Sequence, residues 1–217
     1  MIIDMHSHSV FSDDARATVE QYVKWISKVV RKKAPLDAIV LTEHRGFNEE
    51  ADYSDLEEQY QIKIFKASEL DTNRGHVLLY GVNSHLLERF DFTDVSMDAV
   101  ALIEEATASG AFAVPAHPGR RRIGLCEFLD GGEEVPGVEV VEVLNGGSSP
   151  AENGRAQELA DQKGYRGIGG SDAHFVNAIG KLATEFENSV DSIEDLVAEL
   201  RKGAFEAVRL DDLAQGS

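Results

Sequence analysis

Short apolar runs that end in histidine or a carboxylate recur along the whole chain and alternate with amphipathic stretches. The first run, 2–6, leads into His6-Ser7-His8. Residues two apart in an extended strand project to the same side, so this pattern predicts that the imidazoles of His6 and His8 can reach one ion. An isolated His-x-His pair also occurs by chance. Its meaning therefore depends on the polar residues at the other strand ends.

The order of strand-like and helix-like segments predicts the fold class. We expect strands at 2–6, 36–42, 62–68, 76–82, 111–116, 138–144, 165–169 and 205–209, helices at 18–30, 52–59, 95–109, 151–162 and 191–202, and a loose, lid-like segment between 117 and 138. Strands separated mostly by helices favour a parallel sheet with helices outside. Because polar residues gather at the carboxyl ends of the strands, a closed or nearly closed barrel fits better than an open sheet. No glycine-rich phosphate loop follows any strand.

Helix ends can also be read from the sequence. Thr18, with Gln21 three residues later, predicts a capping box at the start of the first helix. Gly110 predicts the end of a later helix, and Asp191 with Glu194 predicts the start of the last one.

Composition limits the size of the fold and the class of partner. With 217 residues and 42% hydrophobic content, the chain can bury one good-sized core, and we predict a single domain over 1–217. Its 39 acidic and 21 basic residues give a formal net charge of -18. Such a charge repels polyanions, so we expect a small-molecule substrate rather than long nucleic acid or an anionic membrane. The sequence leaves the oligomeric state open.

The compartment is predicted from absent signals. Cys126 is the single cysteine, so no intramolecular disulfide can form. The chain starts with Met-Ile-Ile-Asp, without a basic region followed by a long apolar stretch, and no apolar run approaches the roughly 20 residues that span a bilayer. We therefore expect a cytoplasmic protein.

Six of the seven histidines stand at or next to a predicted strand end; only His85 does not. Three carboxylates lie in the same kind of position. Together these residues are His6, His8, Asp13, His44, Glu69, His76, His117, Asp172 and His174. Nine nitrogen and oxygen donors exceed what one four-coordinate ion uses. They suffice for two or three ions that keep open positions for water and substrate.

The order of these motifs resembles that of the PHP (polymerase and histidinol phosphatase) family of metal-dependent phosphoesterases. The motifs are His6-Ser7-His8 followed by Ser12-Asp13, Thr42-Glu43-His44, Ala67-Ser68-Glu69, Gly75-His76, Ala116-His117-Pro118 and Gly170-Ser171-Asp172-Ala173-His174. The resemblance runs from Ile2 to about Leu210. It implies a distorted (β/α)7 TIM-like barrel with a trinuclear site of zinc, manganese or iron.

The resemblance also implies a role for each ligand. His6, His8, Glu69 and Asp172 would hold the first ion, Glu69 would bridge to a second ion held by His76 and His117, and Asp13, His44 and His174 would hold the third. Two positions depart from the family pattern. Glu43 stands where the family usually has aspartate, and Asp14 stands where glycine is common, so the third carboxylate ligand is either Asp13 or Asp14.

The ligand set predicts hydrolysis of a small organic phosphate, such as a nucleotide or sugar phosphate, by a metal-activated water. We assign the catalytic roles to Glu69, His117 and Asp172. Arg45 and Arg120 follow two of the ligands in the chain and are candidates for gripping a phosphate. At the end of a predicted strand, Glu142 and Asn145 either orient ligands or complete a turn.

Other functions remain open at this stage. The same metals would serve an exonuclease or nucleotide phosphodiesterase, or a hydrolase of a non-phosphate ester. A non-catalytic, metal-stabilised subunit is the alternative from another class. Amidohydrolase barrels also begin with His-x-His, but they typically add a bridging lysine, whereas Glu69 occupies that place here.

Overall fold

Nine strands and eight α-helices make up residues 1–213, the part of the chain that the computed structural model describes; the last four positions of the predicted domain, 214–217, lie outside it. The strands are β1 (Ile2–Ser7), β2 (Ala38–His44), β3 (Lys63–Thr72), β4 (Gly75–Tyr80), β5 (Phe112–Pro115), β6 (Val140–Asn145), β7 (Arg166–Gly170), β8 (Leu182–Phe186) and β9 (Phe205–Arg209). The helices are α1 (Val19–Lys28), α2 (Ser54–Tyr60), α3 (Ser84–Arg89), α4 (Ala99–Ser109), α5 (Leu125–Asp130), α6 (Pro150–Lys163), α7 (Ile193–Lys202) and α8 (Leu210–Leu213), with one 3-10 turn at Val30–Lys32. None of these helices is both long enough and apolar enough to cross a bilayer.

The strands form two sheets. Seven strands pair in the order β5-β4-β3-β2-β1-β8-β9 and curl into a half-barrel, and β6 pairs with β7. The backbone joins the two sheets beside β1, where the N–H of Asp172 donates to the carbonyl of His6 at 2.7 Å and the N–H of His8 donates to the carbonyl of Ala173 at 2.9 Å. The α/β class is thereby confirmed.

The sheets are mixed, so the prediction of a parallel sheet holds for only some of the strand pairs. Only β1–β2, β2–β3 and β6–β7 pair in parallel, while β3–β4, β4–β5, β1–β8 and β8–β9 are antiparallel. The turn at Asn73 to Gly75 leaves no room for a crossover helix, so β4 returns beside β3 as a hairpin. The closed (β/α)7 barrel is not confirmed and stays a prediction.

Four strands or α-helices escaped the sequence analysis, and one helix cap was misplaced. Helix α3 precedes α4, α5 lies in the segment predicted to be loose, β8 joins β1 to β9, and α8 follows β9. The last helix is capped by Ser192, whose side chain accepts from the N–H of Asp195, and not by Asp191. Such short elements depend on tertiary pairing more than on local periodicity.

Helix α1 shows how the outer layer forms. Val19, Tyr22, Val23 and Ile26 recur at helical spacing and are buried, and the predicted capping box at Thr18 is present. These side chains pack against the outer face of the large sheet. A second buried cluster combines residues of both sheets, including Ile3, Val40, Leu78, Val140 and Ile168, and so fills the space between them.

The hydroxyl of Tyr22 ties α1 to the ends of two strands. It lies 2.7 Å from the carbonyl oxygen of His8 and 2.7 Å from that of Ala173, and the side chain is fully buried. We expect Tyr22→Phe to lower the free energy of unfolding by about 1–2 kcal/mol, because two buried carbonyls lose their shared donor. Urea unfolding followed by circular dichroism measures this loss. Tyr60→Phe is the matched control, since that hydroxyl contacts only the exposed amide of Gln59 among the described residues; equal losses in both variants would contradict the assignment.

Candidate metal centre

Neighbouring strand ends bring eight of the nine predicted ligands together. In the parallel register of β2 and β3, His44 stands opposite Glu69, and His76 enters from β4. His117 and Asp172 each follow two residues after a strand, β5 and β7. The donor atoms form three groups, which are His6, His8, Glu69 and Asp172; Glu69, His76 and His117; and His8, His44 and His174.

The first group is fully buried and its donors converge. The Nε2 atoms of His6 and His8 lie 3.0 Å apart, and Oε2 of Glu69 is 3.0 Å from the first and 3.2 Å from the second. Oδ1 of Asp172 lies 3.5 Å and 3.2 Å from the same two nitrogens. Donors arranged tetrahedrally at bonds of about 2.0–2.1 Å would be separated by about 3.3 Å. These four donors fit a divalent cation.

The second group uses the other oxygen of the same carboxylate. Oε1 of Glu69 lies 2.9 Å from Nδ1 of His76 and 2.9 Å from Nε2 of His117. Glu69 is 1% exposed and presents one oxygen to each of the two groups. This is the arrangement that a bridging ligand requires.

Asp14, rather than Asp13, lies beside the third group. Rings of His44 and His174 lie 4.1 Å and 4.4 Å from the ring of His8. Oδ2 of Asp14 is 3.5 Å from Nε2 of His44 and 3.3 Å from Nε2 of His174. The carboxylate of Asp13 is 78% exposed and lies 3.3 Å from the guanidinium of Arg45 instead. The structure therefore does not bring Asp13 to the other predicted ligands.

Backbone strain is concentrated at this site. Among residues 1–213, five non-glycine residues have positive φ, and His117 (31°), Asp172 (50°) and Arg45 (51°) are three of them. Such a conformation costs roughly 1–3 kcal/mol for each residue and persists where the surroundings enforce it. Holding the candidate ligands His117 and Asp172 in these conformations therefore lowers the stability of the fold.

One family of known proteins matches part of the chain. A model of the PHP-associated family matches residues 150–205, a segment that includes Asp172 and His174. None of the curated protein sequences compared with this chain matches it. The family match includes the last of the ordered motifs, and eight of the nine ligands that those motifs imply come together in the three donor groups.

These findings support a relationship of the chain to the PHP family.

Solved structures share the fold of this chain. PsfC from Pseudomonas syringae PB-5123 has a TM-score of 0.70 at 20% identity, covering 99% of this chain and 93% of its own. The lesion-specific endonuclease PfuEndoQ from Pyrococcus furiosus has a TM-score of 0.63 at 15% identity, covering 95% of this chain and 57% of its own. A candidate metal-dependent phosphoesterase from Bifidobacterium adolescentis reaches 0.60 at 15% identity, covering 93% of this chain and 96% of its own.

A fourth structure shows that the fold extends beyond proteins named as phosphoesterases. An amidohydrolase from Chromobacterium violaceum, solved with bound sulfate and no metal, has a TM-score of 0.60 at 17% identity. The alignment covers 97% of this chain and 98% of that one. At such identities these likenesses establish the fold alone.

A buried carboxylate and a buried amide orient the candidate ligands. Oε1 of Glu142 lies 2.9 Å from Nδ1 of His6, while Oε2 accepts from the backbone N–H of His117 at 2.8 Å and from Nδ2 of Asn145 at 2.9 Å. Glu142 and Asn145 are fully buried. Of the two roles considered for this pair, the geometry supports orientation of the ligands. Glu142 fixes residues of two donor groups at once.

Asp71 was missed in the sequence analysis. Its Oδ1 lies 3.0 Å from Nε2 of His76, whose other ring nitrogen faces Glu69. Asp71 follows Glu69 by two residues in β3, so the period-two rule that paired His6 with His8 could have identified it.

The two arginines predicted to contact substrate lie at different depths. Nη2 of Arg120 donates to Oδ2 of Asp172 at 2.7 Å and to Oδ1 of Asn145 at 2.8 Å, so this guanidinium is held beside the first group. Arg45 is 40% exposed and makes longer contacts, 3.3 Å to Asp13 and 3.6 Å to Asp71. The guanidinium of Arg45 is therefore more accessible to a phosphate than that of Arg120.

Electrostatics within the groups follow from burial and proximity. Burial lowers the pKa of His6, but Glu142, Asp172 and Glu69 together outweigh it, so this pKa lies well above its ordinary value. Burial raises the pKa of Glu69, yet the neighbouring imidazoles, led by His6, hold it well below its usual range. Burial also lowers the pKa of His44 to about 4, so this ring is neutral at pH 7 and free to bind a cation.

We expect Glu142→Gln to weaken metal binding about 10- to 100-fold, because the amide cannot accept from the ring of His6, the N–H of His117 and Asn145 together. Competition with a chelating indicator measures the dissociation constant for Mn²⁺ or Zn²⁺, and circular dichroism checks the fold. Glu139→Gln, at an exposed position before the same strand, is the control. Unchanged metal affinity in Glu142→Gln would exclude this supporting role.

The paired variants Asp13→Asn and Asp14→Asn separate the two candidates for the third group. From the geometry we expect Asp14→Asn to reduce the metal content by about one ion per chain and Asp13→Asn to leave it unchanged. Elemental analysis after equilibrium dialysis against each metal gives the stoichiometry. The reverse pattern would assign the ligand to Asp13, as the family motif implies.

Proposed function

We propose that this chain is a member of the PHP family and a metal-dependent phosphoesterase that hydrolyses a small organic phosphate, a phosphomonoester such as a nucleotide or sugar phosphate. The observation that carries the proposal is the shared carboxylate of Glu69, whose two oxygens serve two adjoining donor groups. Adjoining divalent sites suit phosphoryl chemistry, since ions bound there lower the pKa of water and offset charge on phosphoryl oxygens. The trinuclear arrangement is part of this proposal.

Each candidate residue then has a definite task. His6, His8, Glu69 and Asp172 would hold one ion, and Glu69, His76 and His117 a second. His8, His44 and His174 would surround a third, with Asp14 or Asp13 as its carboxylate. Histidine and carboxylate donors accept zinc, manganese and iron alike, so the native metal is a matter for measurement.

The two arginines predicted to contact the phosphate would have different roles. Arg45 is exposed and loosely paired, which leaves guanidinium donors for phosphoryl oxygens. Arg120 already uses Nη2 on Asp172 and Asn145, so its contribution would be to fix the ligand and offset nearby charge. Their positive charge compensates part of the acidity of the site.

Known relatives of the fold support this chemistry. The Bifidobacterium adolescentis protein is a candidate metal-dependent phosphoesterase, and the Chromobacterium violaceum amidohydrolase binds sulfate, an anion with the tetrahedral shape of phosphate. The Pyrococcus furiosus endonuclease makes phosphodiester cleavage the second candidate. A formal net charge of -18 disfavours long nucleic acid and so favours a small, soluble partner in the cytoplasm.

A metal-supplemented screen of phosphomonoesters, nucleotide diesters and short oligonucleotides tests the proposal. We expect turnover of monoesters with manganese, zinc or iron, and a loss of at least about 1,000-fold in Asp172→Asn, which removes a ligand charge from the first group. Asp161→Asn, on the exposed face of α6, is the control. Turnover of diesters alone would replace the monoesterase by the second candidate, and turnover of carboxyl esters or amides without any phosphatase activity would refute both.

A further inference from the structure

Most of the exposed large hydrophobic side chains lie on loops that carry candidate metal ligands. Within residues 1–213, four large hydrophobic residues are exposed, which are Val10 (56%), Phe11 (47%), Phe175 (57%) and Val95 (60%). Three of them lie on the two loops that carry candidate ligands. Val10 and Phe11 stand between His8 and Asp14, and Phe175 directly follows His174. Single exposed apolar residues are ordinary, but a cluster around a polar site marks a ligand-binding surface.

The two loops are fixed to each other. The N–H of Arg16 donates to the carbonyl of His174 at 2.8 Å, and the N–H of Val10 donates to the carbonyl of Ala17 at 2.9 Å. Consecutive Cα atoms lie about 3.8 Å apart, so Phe175 begins within one residue of a donor in the third group. The exposed residues therefore belong to two joined loops that carry donors of the third group.

A buried carboxylate keeps Val10 and Phe11 in place. Ser9 and Ser12 flank this pair, and their hydroxyls donate to Glu43 at 2.5 Å and 2.6 Å. Glu43 is 2% exposed and also accepts from the N–H of Ser9. The loop is thus held rigidly with its apolar side chains facing outward, where a disordered loop would let them collapse onto the surface.

The aromatic ring of Phe11 lies beside the backbone of Gly46, the residue that follows Arg45. A Cβ at Gly46 would approach Cε1 of Phe11 to 3.1 Å. The segment that carries Phe11 therefore packs against the segment that carries Arg45. An aromatic ring and an arginine on neighbouring segments suit a ligand that carries both an aromatic ring and an anionic group.

We propose that Val10, Phe11 and Phe175 form an aromatic subsite that selects phosphate esters with a planar, aromatic group next to the phosphate. The proposal rests on the proposed function and specifies its substrate class. The phosphate would reach the metal ligands and Arg45, and the ring would stack on Phe11 or Phe175. Polar aliphatic esters, such as sugar phosphates, would bind without this contribution.

Binding of two phosphonates, which have no ester bond to hydrolyse, tests the subsite without relying on activity. Isothermal titration of the metal-loaded protein with phenylphosphonate and methylphosphonate should give about two- to ten-fold tighter binding of the phenyl compound. The double variant Phe11→Ala/Phe175→Ala should remove that preference while binding methylphosphonate as the wild type does. Val95→Ala, which removes the exposed hydrophobic side chain outside these loops, should keep the preference.

The same variants separate this proposal from the proposed function. If the wild type hydrolyses no phosphate ester but prefers phenylphosphonate, and the double variant abolishes the preference, the subsite stands and the reaction assignment fails. Equal binding of both phosphonates by the wild type overturns the subsite, as does a preference that survives in the double variant. Concentration-dependent dimerisation that the double variant abolishes, with no change in phosphonate preference, would assign these residues to contact between copies of the chain and also overturn it.

Discussion

The carboxylate of Glu69 is the constraint on which the rest of the site depends. Its two oxygens lie between 2.9 and 3.3 Å from nitrogens of five imidazoles, those of His6, His8, His44, His76 and His117. A charged carboxylate that is 1% exposed is tolerated only where partners replace its lost hydration. Those partners come from four strands and the loops that follow, so the carboxylate is compensated only once β1 to β5 have assembled. The fold and the donor set are therefore mutually dependent.

A closed ring of hydrogen bonds and ion pairs surrounds the first donor group. His6 is held by Glu142, Glu142 by Asn145, Asn145 by Arg120, and Arg120 by Asp172, which returns to the first donor group. Each member has at least two partners, so displacement of one side chain leaves a buried polar atom unpaired. Such a network is rigid. Its rigidity holds the imidazole nitrogens and carboxylate oxygens close together in the absence of a cation.

The sequence predicted the site better than it predicted the fold. Strand ends with His, Glu or Asp could be located because polar residues interrupt apolar runs abruptly, and eight of nine predicted ligands converge. Strand direction could not be predicted, because a hairpin such as β3–β4 and a crossover differ in the chain path between strands and not in the strands themselves. Asp13 and Asp14 could not be distinguished for a related reason, since adjacent residues in a loop have no periodicity and only the folded loop decides which carboxylate turns inward.

The departure at Glu43 from the family motif shows how one residue can connect the core to the mouth of the site. The longer side chain lies buried behind the ligands and reaches Ser9 and Ser12, which bracket the exposed pair Val10 and Phe11. Ser12 in turn accepts from the backbone N–H of His44 at 3.0 Å, so the apolar rim and a candidate ligand share one hydrogen-bonded unit. A shorter aspartate would have to draw the loop inward by about one methylene length to keep these bonds. The position of Phe11 relative to the donors is thus set by the same residue that stabilises the end of β2, which links the shape of the entrance to the geometry of the ligands.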